Sequence, residues 1–264
     1  MYETRYHRPA TLAEARALFT PDARYIAGGQ TLLPVMKQRV AAPTDLIDIA
    51  RLPELRGIAV AGDTLTVGAA TTHAEVAASD VVRQAIPALA ALAALIGDPA
   101  VRHLGTIGGS LANNDPAADY AAAVLALDAT IHTDRRAISA ADFLRGLFTT
   151  ALQDGEIIVK VAFRPPAKAA YEKFRNPASR YAIAAAFVAM AKDRTVRVAI
   201  TGAGNNGAYR ATAIEKALTE NWSPAAIDAV TIDETTMLGD IHATPAYRAN
   251  LVKVMAKRAL SRAG

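Results

Sequence analysis

The sequence contains no cysteine among its 264 residues, and this absence excludes several kinds of chemistry. Disulfide bonds, thiolate nucleophiles, zinc sites with cysteine ligands and iron–sulfur clusters all need cysteine, so this chain cannot supply them. A chain without cysteine also fits a reducing compartment. Residues 1–5 do not begin the apolar region of a signal peptide, so we expect a cytoplasmic protein.

Aromatic residues, basic clusters and long apolar runs are also scarce. Phe, Trp and Tyr make up 6% of the chain, and its 29 Lys and Arg residues are scattered despite a net charge of +4. Nucleic-acid-binding surfaces combine a basic stripe with aromatic side chains, so we predict no nucleic-acid partner. The longest apolar runs, 85–96 and 181–191, fall short of the roughly 20 residues of a membrane helix. We therefore predict a globular protein without a membrane span.

Local patterns predict an α+β protein in three units. In the first unit, a capping box at Thr11–Glu14 predicts a helix, and residues 23–27 and 45–49 are typical of short strands. The second unit has a hairpin over 58–67 and one long alanine-rich helix over about 80–95. These elements indicate helices packed on small sheets.

The segment Arg164-Pro165-Pro166 interrupts the pattern and marks the boundary to a third unit. Three strand candidates follow, at 170–174, 181–191 and 195–201. Helices are then predicted to begin near Arg210, at Pro224 and at Pro245, where the last two prolines each follow a Ser or Thr N-cap.

Two glycine pairs carry most of the functional information. Gly28-Gly29 lies in the segment 27–34, and Gly108-Gly109 lies in the segment 105–113. Each pair adjoins a short apolar stretch and precedes small hydroxyl or amide side chains. Glycine allows positive φ and close approach to a ligand, so successive N–H groups can converge on an anion. Two such segments favour one extended, phosphate-bearing ligand held at two places.

A third glycine-rich segment, Gly202–Gly207, fits the pattern G-x-G-x-x-G between a predicted strand and a predicted helix. A Rossmann unit then needs a second strand ending in an acidic residue about twenty residues on. Residues 220–225 are instead typical of a turn into another helix. NAD binding through Gly202–Gly207 is therefore an alternative interpretation, beside a plain loop between two elements.

Side chains for hydrolytic or metal chemistry are not apparent. The chain has no G-x-S-x-G segment, and its five histidines show no paired metal-ligand spacing, so we expect them to be surface or structural residues. Asp115 and Asp119 can share a helical face, where they would complement the helix dipole or accept a hydrogen bond from a sugar hydroxyl. A ligand cradle without catalytic side chains favours a protein whose cofactor performs the chemistry.

The glycine segments resemble those of a known family. Residues 27–37, Ala-Gly-Gly-Gln-Thr-Leu-Leu-Pro-Val-Met-Lys, resemble the first FAD motif of the medium, flavoprotein subunit of molybdenum hydroxylases, which include aerobic carbon monoxide dehydrogenase and xanthine dehydrogenase. Residues 106–119 resemble the second FAD motif. Further matches follow in the family's order at 154–158, 171–174, 177–182, 240–243 and 247–248. The resemblance covers nearly the whole chain.

The resemblance implies an α+β fold with a vanillyl-alcohol-oxidase-type (PCMH) FAD-binding region. Its two subdomains would be residues 1–56 and 57–166, and residues 167–264 would form a C-terminal flavoprotein domain with a three-stranded sheet and a helical bundle. FAD would lie extended between the subdomains. The residues that match FAD-binding positions of the family are Ala27, Gly28, Gly29, Gln30, Thr31, Leu32, Ile96, Thr106, Gly108, Gly109, Ser110, Asn113, Asp119, Ile158 and Arg175.

Several of these positions have a role implied by the family. Asp119 would hydrogen-bond FAD, Ile96 and Ile158 would pack against it, and Arg175 would lie near the flavin. Ser110 stands where many members have Asn, and Gln30 stands where some have His. No residue of this chain is assigned a catalytic role.

The same resemblance implies partner chains. An iron–sulfur small subunit would carry [2Fe–2S] clusters, and a molybdenum large subunit with molybdopterin would oxidise the organic substrate, in a dimer of heterotrimers. The FAD of this chain would pass electrons from the clusters to a quinone, NAD or oxygen. A stand-alone FAD-dependent oxidoreductase is the alternative, which would need an acid–base residue over the flavin.

Overall fold

The computed structural model describes residues 1–264, which form three β-sheets with helices packed around them. The first sheet is parallel, with its third strand in sequence at the centre. Thr11 caps the first helix through its side chain, as the capping box predicts. The elements of this part are β1 (Arg5–His7), α1 (Leu12–Ala17), β2 (Ala23–Ile26), α2 (Leu32–Lys37) and β3 (Asp45–Asp48).

The second sheet has five strands, each antiparallel to its neighbours. The elements of this part are β4 (Ile58–Ala61), β5 (Thr64–Gly68), α3 (His73–Ala78), α4 (Asp80–Ala85), α5 (Pro87–Ala94), α6 (Pro99–Leu104), α7 (Ile107–Asn113), α8 (Asp119–Ala126), β6 (Thr130–Thr133), β7 (Ala137–Ser139), α9 (Ala140–Phe143) and β8 (Ile158–Phe163). The order of the strands along the sheet is β4-β5-β8-β6-β7.

The single helix predicted over 80–95 is wrong, because the chain forms the two helices α4 and α5 there. Ile86 lies between them with φ −144° and ψ 78°, and Pro87 opens α5. A proline ring clashes with a helical conformation of the residue before it, so the helix must end at Ile86. Pro87 itself occupies a first-turn position, where its missing N–H costs nothing.

The third sheet is antiparallel and has four strands, one more than predicted. The extra strand is only two residues long, too short to appear as a sequence pattern, and it displaces the predicted helix start from Arg210 to Thr212. Residues Pro224–Ile227 form a short 3₁₀ helix. The other elements are β9 (Lys168–Arg175), β10 (Ala182–Met190), β11 (Val196–Thr201), β12 (Tyr209–Arg210), α10 (Thr212–Glu220) and α11 (Pro245–Ala263).

The third sheet is covered on both faces. Helix α11 packs on β9 and β10, and α8 packs on β10 and β11. Strand β10 is therefore buried along almost its whole length, which explains its continuous apolar sequence. Buried side chains of the second and third sheets form one shared core, so α8 and its N-terminus are held rigidly between them. None of the helices is both long and apolar enough to cross a lipid bilayer.

The structure contradicts the NAD-binding alternative at Gly202–Gly207. This segment joins β11 to β12, which pair antiparallel to each other, whereas a dinucleotide fingerprint needs a parallel strand leading directly into a helix. Gly204 is required for a different reason. A Cβ atom there would lie 2.6 Å from the Gly207 carbonyl oxygen, so the glycine serves a tight turn.

Candidate functional site

A cleft of about 630 Å³ lies between the first sheet, the helices that follow β5 and the edge of the third sheet at β9. This volume is within the range of roughly 300–1,000 Å³ that small-molecule and cofactor sites occupy. The segment between β2 and α2 forms one wall, and α7 with the loop before it forms another. The remaining wall contains the N-terminus of α8, Lys173 of β9 and the loop residues 179–181.

The first glycine segment lines this cleft and contains a row of free backbone donors. The N–H groups of Gly28, Gly29, Gln30 and Thr31 have no hydrogen-bond acceptor in the protein. Gly29 has φ +67°, a left-handed conformation that glycine adopts without strain and that turns the chain into α2. Successive N–H groups in such a turn form a concave site for an anion. This segment is therefore built to receive a negatively charged group.

The second glycine segment differs, because its N–H groups already have acceptors in the protein. Ile107 donates to the Thr71 carbonyl oxygen at 3.2 Å, and Gly108 donates to that of Ala69 at 2.9 Å. Gly109 donates to Thr106 Oγ1 at 3.1 Å. The two segments therefore do not share one chemistry, and the sequence-based prediction was wrong on this point.

The second segment instead allows close approach to its backbone. A Cβ atom at Gly109 would have only Thr106 Oγ1, at 3.0 Å, within 4 Å in the protein. Gly109 lines the cleft, so any larger side chain there would extend into it. Ser110 and Asn113 of the same helix also line the cleft and supply polar side chains.

Two other motif glycines are needed for packing. A Cβ atom at Gly28 would overlap the Leu104 carbonyl oxygen and lie 2.7 Å from Gly105 Cα. A Cβ atom at Gly108 would lie 2.6 Å from Ala69 Cβ. Gly28 thus permits the contact between the first unit and the loop before α7, while Gly108 fits α7 against the end of the second sheet.

Asp119 is the most buried acid in the wall of the cleft. It begins α8, and its carboxylate accepts hydrogen bonds from the Tyr171 hydroxyl and from Lys173 Nζ, the latter at 2.9 Å. Burial raises the pKa of the Asp119 carboxyl, and the Lys173 ammonium and Tyr171 hydroxyl oppose that shift. Burial and the Asp119 charge raise the pKa of Tyr171 well above its ordinary value. Tyr171 therefore serves as a hydrogen-bond donor, and Asp119 is fixed in orientation.

His73 lies in the same wall, beneath Gly105. It is 5% exposed, and its ring centre lies 5.4 Å from that of Tyr120. Neither His73 Nδ1 nor the Tyr120 hydroxyl has a hydrogen-bond partner. Burial, reinforced by the Arg102 guanidinium, lowers the pKa of His73 to about 4. The imidazole is thus neutral at physiological pH and can act as a hydrogen-bonding group.

His73 should make the stability of the free chain depend on pH. The unfolded histidine binds a proton below a pH of about 6.5, whereas the folded one does so only below about 4. The free energy of unfolding should therefore fall as the pH drops through this window. We expect the His73→Gln variant to lose less stability there, by up to about 1 kcal/mol per pH unit, in urea titrations. His103→Gln, at an exposed histidine, should follow the unmodified chain, and equal slopes for all three proteins would contradict the prediction.

Most of the residues predicted from the sequence line the cleft together. They are Ala27, Gly28, Gly29, Gln30, Thr31, Leu32, Ile96, Thr106, Gly109, Ser110, Asn113 and Asp119. Three others lie outside its lining. Gly108 is buried against Ala69, Ile158 belongs to the core shared by the second and third sheets, and Arg175 is exposed at the end of β9.

Sequence reasoning missed Lys173 and His73 as residues of the cleft. Lys173 follows Tyr171 by two positions in a strand, so both side chains lie on one face, while Glu172 points to the other. The spacing of two between Tyr171 and Lys173 was the only feature of the sequence that could have indicated this shared face. His73 gave no signal, because it is buried beside Gly105 and Tyr120, which are distant in sequence.

Known protein families match almost the whole chain. Residues 2–165 match the family described as FAD binding domain in molybdopterin dehydrogenase, and residues 169–263 match the CO dehydrogenase flavoprotein C-terminal domain. The carbon monoxide dehydrogenase medium chain of Hydrogenophaga pseudoflava is 36% identical, over 98% of this chain and 96% of that protein. The nicotine 6-hydroxylase medium subunit of Paenarthrobacter nicotinovorans is 33% identical, over 98% and 97%.

A solved structure shows the same fold. Reconstituted CO dehydrogenase from Oligotropha carboxidovorans contains a chain that superposes with a TM-score of 0.91 at 32% identity, covering 100% of this chain and 99% of that one. The chain therefore belongs to the FAD-binding medium subunits of the molybdenum hydroxylase family, a family of oxidoreductases.

Proposed function

We propose that this chain is the electron-transfer subunit of a heterotrimeric molybdenum hydroxylase and holds FAD in the cleft described above. In the proposed complex, electrons would pass from the [2Fe–2S] clusters of a small subunit through this chain to a quinone, NAD or oxygen. The substrate would be oxidised on a large subunit that carries molybdopterin. Residues 1–56 and 57–166 are proposed as the two FAD-binding subdomains, and residues 167–264 as the C-terminal flavoprotein domain.

One observation supports this proposal most directly. Four consecutive N–H groups, from Gly28 to Thr31, are free beside a cleft large enough for a dinucleotide cofactor. We propose that they bind the diphosphate of FAD, since backbone donors in a turn suit that group. Gly109 would let α7 approach the cofactor, and Thr106, Ser110 and Asn113 would flank it.

The chain's own residues would hold and position the cofactor. FAD, when bound, supplies the capacity to accept electrons singly and release them in pairs. Asp119 would accept a hydrogen bond from it, and its orientation is fixed by Tyr171 and Lys173. Ile96 would provide an apolar contact at the same wall.

Amide hydrogen exchange tests the proposed diphosphate site. In the free chain the amides of residues 28–31 should exchange rapidly, since they donate no hydrogen bond. Addition of FAD should slow their exchange at least tenfold. The amides of residues 107–110 are an internal control, because their N–H groups already have acceptors and should change much less. Slowing at 107–110 without slowing at 28–31 would contradict the assignment.

Cofactor identity and partners need separate measurements. The purified chain is incubated with FAD and desalted, and the released flavin is identified. Retention of FAD, but not of FMN, is the expected result. Co-expression with candidate small and large subunits should then yield one complex of defined stoichiometry, and a dimer of heterotrimers is expected. A chain that oxidises a substrate alone would favour the stand-alone oxidoreductase instead.

A further inference from the structure

Lys173 is an unusual residue for the wall of a cleft. Its side chain is only 2% exposed, and the Asp119 side chain that it contacts is only 6% exposed. Lys173 Nζ lies 2.9 Å from the Asp119 carboxylate and 3.4 Å from the Leu95 carbonyl oxygen. An ammonium group has three N–H donors, and the second of these contacts is already long for a hydrogen bond. Both short contacts of Lys173 Nζ are made to the one Asp119 carboxylate, so at least one of its donors has no protein acceptor closer than 3.4 Å.

Stability does not explain this ion pair. Taking two charges out of water costs several kcal/mol per ion, and buried ion pairs can often be replaced by apolar residues of similar volume without loss. A methionine would fill nearly the same space as Lys173. The partly unsatisfied ammonium beside the cleft therefore indicates an acceptor that the ligand supplies.

The position of Lys173 relative to the first glycine segment indicates which part of the ligand supplies this acceptor. Gly28 packs against Gly105, Gly105 packs against the His73 ring, and that ring faces Tyr120, the neighbour of Asp119. The ion pair, formed by the start of α8 and by β9, thus belongs to a different wall of the cleft from the free N–H groups of residues 28–31. If those groups bind the diphosphate, Lys173 faces another part of the cofactor.

The distribution of charge on the cofactor then indicates that Lys173 contacts the isoalloxazine ring. Apart from the diphosphate, this ring is the part of FAD that becomes negative, because two-electron reduction with uptake of one proton leaves one negative charge on it. The electrons come from the iron–sulfur partner in the proposed complex, and from dithionite in the test below. A fixed cation nearby favours the charged form.

We infer that Lys173, held by Asp119, donates a hydrogen bond to the isoalloxazine ring of FAD and stabilises its reduced form. The inference rests on the proposed function. Lys173 raises the midpoint potential of the flavin, and it does so through direct contact with the cofactor.

The test measures the midpoint potential of FAD bound to the full chain, by dithionite titration with reference dyes. In Lys173→Met, the affinity for reduced FAD relative to oxidised FAD should fall at least tenfold, which equals a drop of about 30 mV for a two-electron couple. Lys173→Arg should stay within threefold of the unmodified chain, because it keeps the charge. Lys192→Met removes an exposed lysine that pairs with Asp63, and it should have no effect.

The outcomes separate this inference from the proposed function. An unmodified chain that retains no FAD overturns the proposed function and the inference with it. FAD bound to Lys173→Met at an unchanged potential overturns the inference alone. If Lys173→Met is unstable, the double variant Lys173→Met/Asp119→Asn removes the unpaired carboxylate, and its potential is compared with that of Asp119→Asn, which keeps Lys173; equal potentials of these two variants overturn the inference. If both methionine variants lose FAD, recovery of binding in Lys173→Arg supports the contact, and failure to recover overturns it.

Discussion

Gly109→Val should abolish retention of FAD while leaving the chain folded. Gly109 lines the cleft, and a Cβ atom there meets only Thr106 Oγ1 within the protein, so the valine methyl groups would occupy ligand space. Stability should change by no more than about 1 kcal/mol, since valine has a somewhat better helix propensity than glycine. We expect affinity for FAD to fall at least 100-fold in equilibrium titrations monitored by flavin fluorescence.

A matched control separates the loss of space from a general effect on helices. Ala91 is exposed on α5 and lies outside the lining of the cleft, so Ala91→Val should bind FAD like the unmodified chain. Thermal unfolding of both variants without FAD checks that each is folded. Normal FAD affinity in Gly109→Val would show that the cofactor does not approach α7.

Gly28→Ala should destabilise the chain itself. A single added methyl group would overlap the Leu104 carbonyl oxygen and crowd Gly105 Cα, and backbone atoms cannot rotate away as a side chain can. Overpacking costs about 1–3 kcal/mol in well-packed cores, and we expect a loss at the upper end, about 3 kcal/mol, in urea unfolding. FAD retention should also be lost, because the free N–H groups next to Gly28 would move.

The control for Gly28→Ala is Gly62→Ala, at the turn between β4 and β5. Gly62 has φ +56° and open space around it, so alanine there suffers only backbone strain, about 1 kcal/mol. Gly28→Ala should therefore be clearly the more destabilising of the two. An equal or smaller loss would mean that the first unit can shift away from Gly105 at little cost.

The sequence was sufficient for the order and type of most elements, because capping boxes and apolar patterns are local. The Thr11 side chain caps α1 by accepting a hydrogen bond from the Glu14 N–H, as its sequence predicts. The end of α4 at Ile86 could also have been predicted from the local sequence, because it follows from Pro87. The short strand β12 could not be found in this way, because its two residues pair with β11 only through the tertiary fold.

The sequence predicted many of the residues that line the candidate cleft, but not the hydrogen-bonding state of their backbone. Both glycine segments were recognised, yet only the first has free donors. The acceptors of the second, Thr71 and Ala69, lie far from it in the sequence, and only the fold brings them to α7. The position of Lys173 in the cleft could not be predicted either, because it depends on Asp119 at the start of α8, which is distant in the sequence.

The packing contact between Gly28 and Gly105 has a consequence for how the chain unfolds locally. The second and third sheets share a core of 34 buried residues, whereas the first sheet packs on two small clusters of seven and three buried residues. A ligand seated between the glycine segments would therefore reinforce the most weakly held part of the molecule, and anything that binds only the closed form adds to its stability. Occupancy of the cleft and integrity of the N-terminal unit are thus coupled in one equilibrium, and release of the ligand lowers the free energy of local opening at the amino-terminal end of the chain.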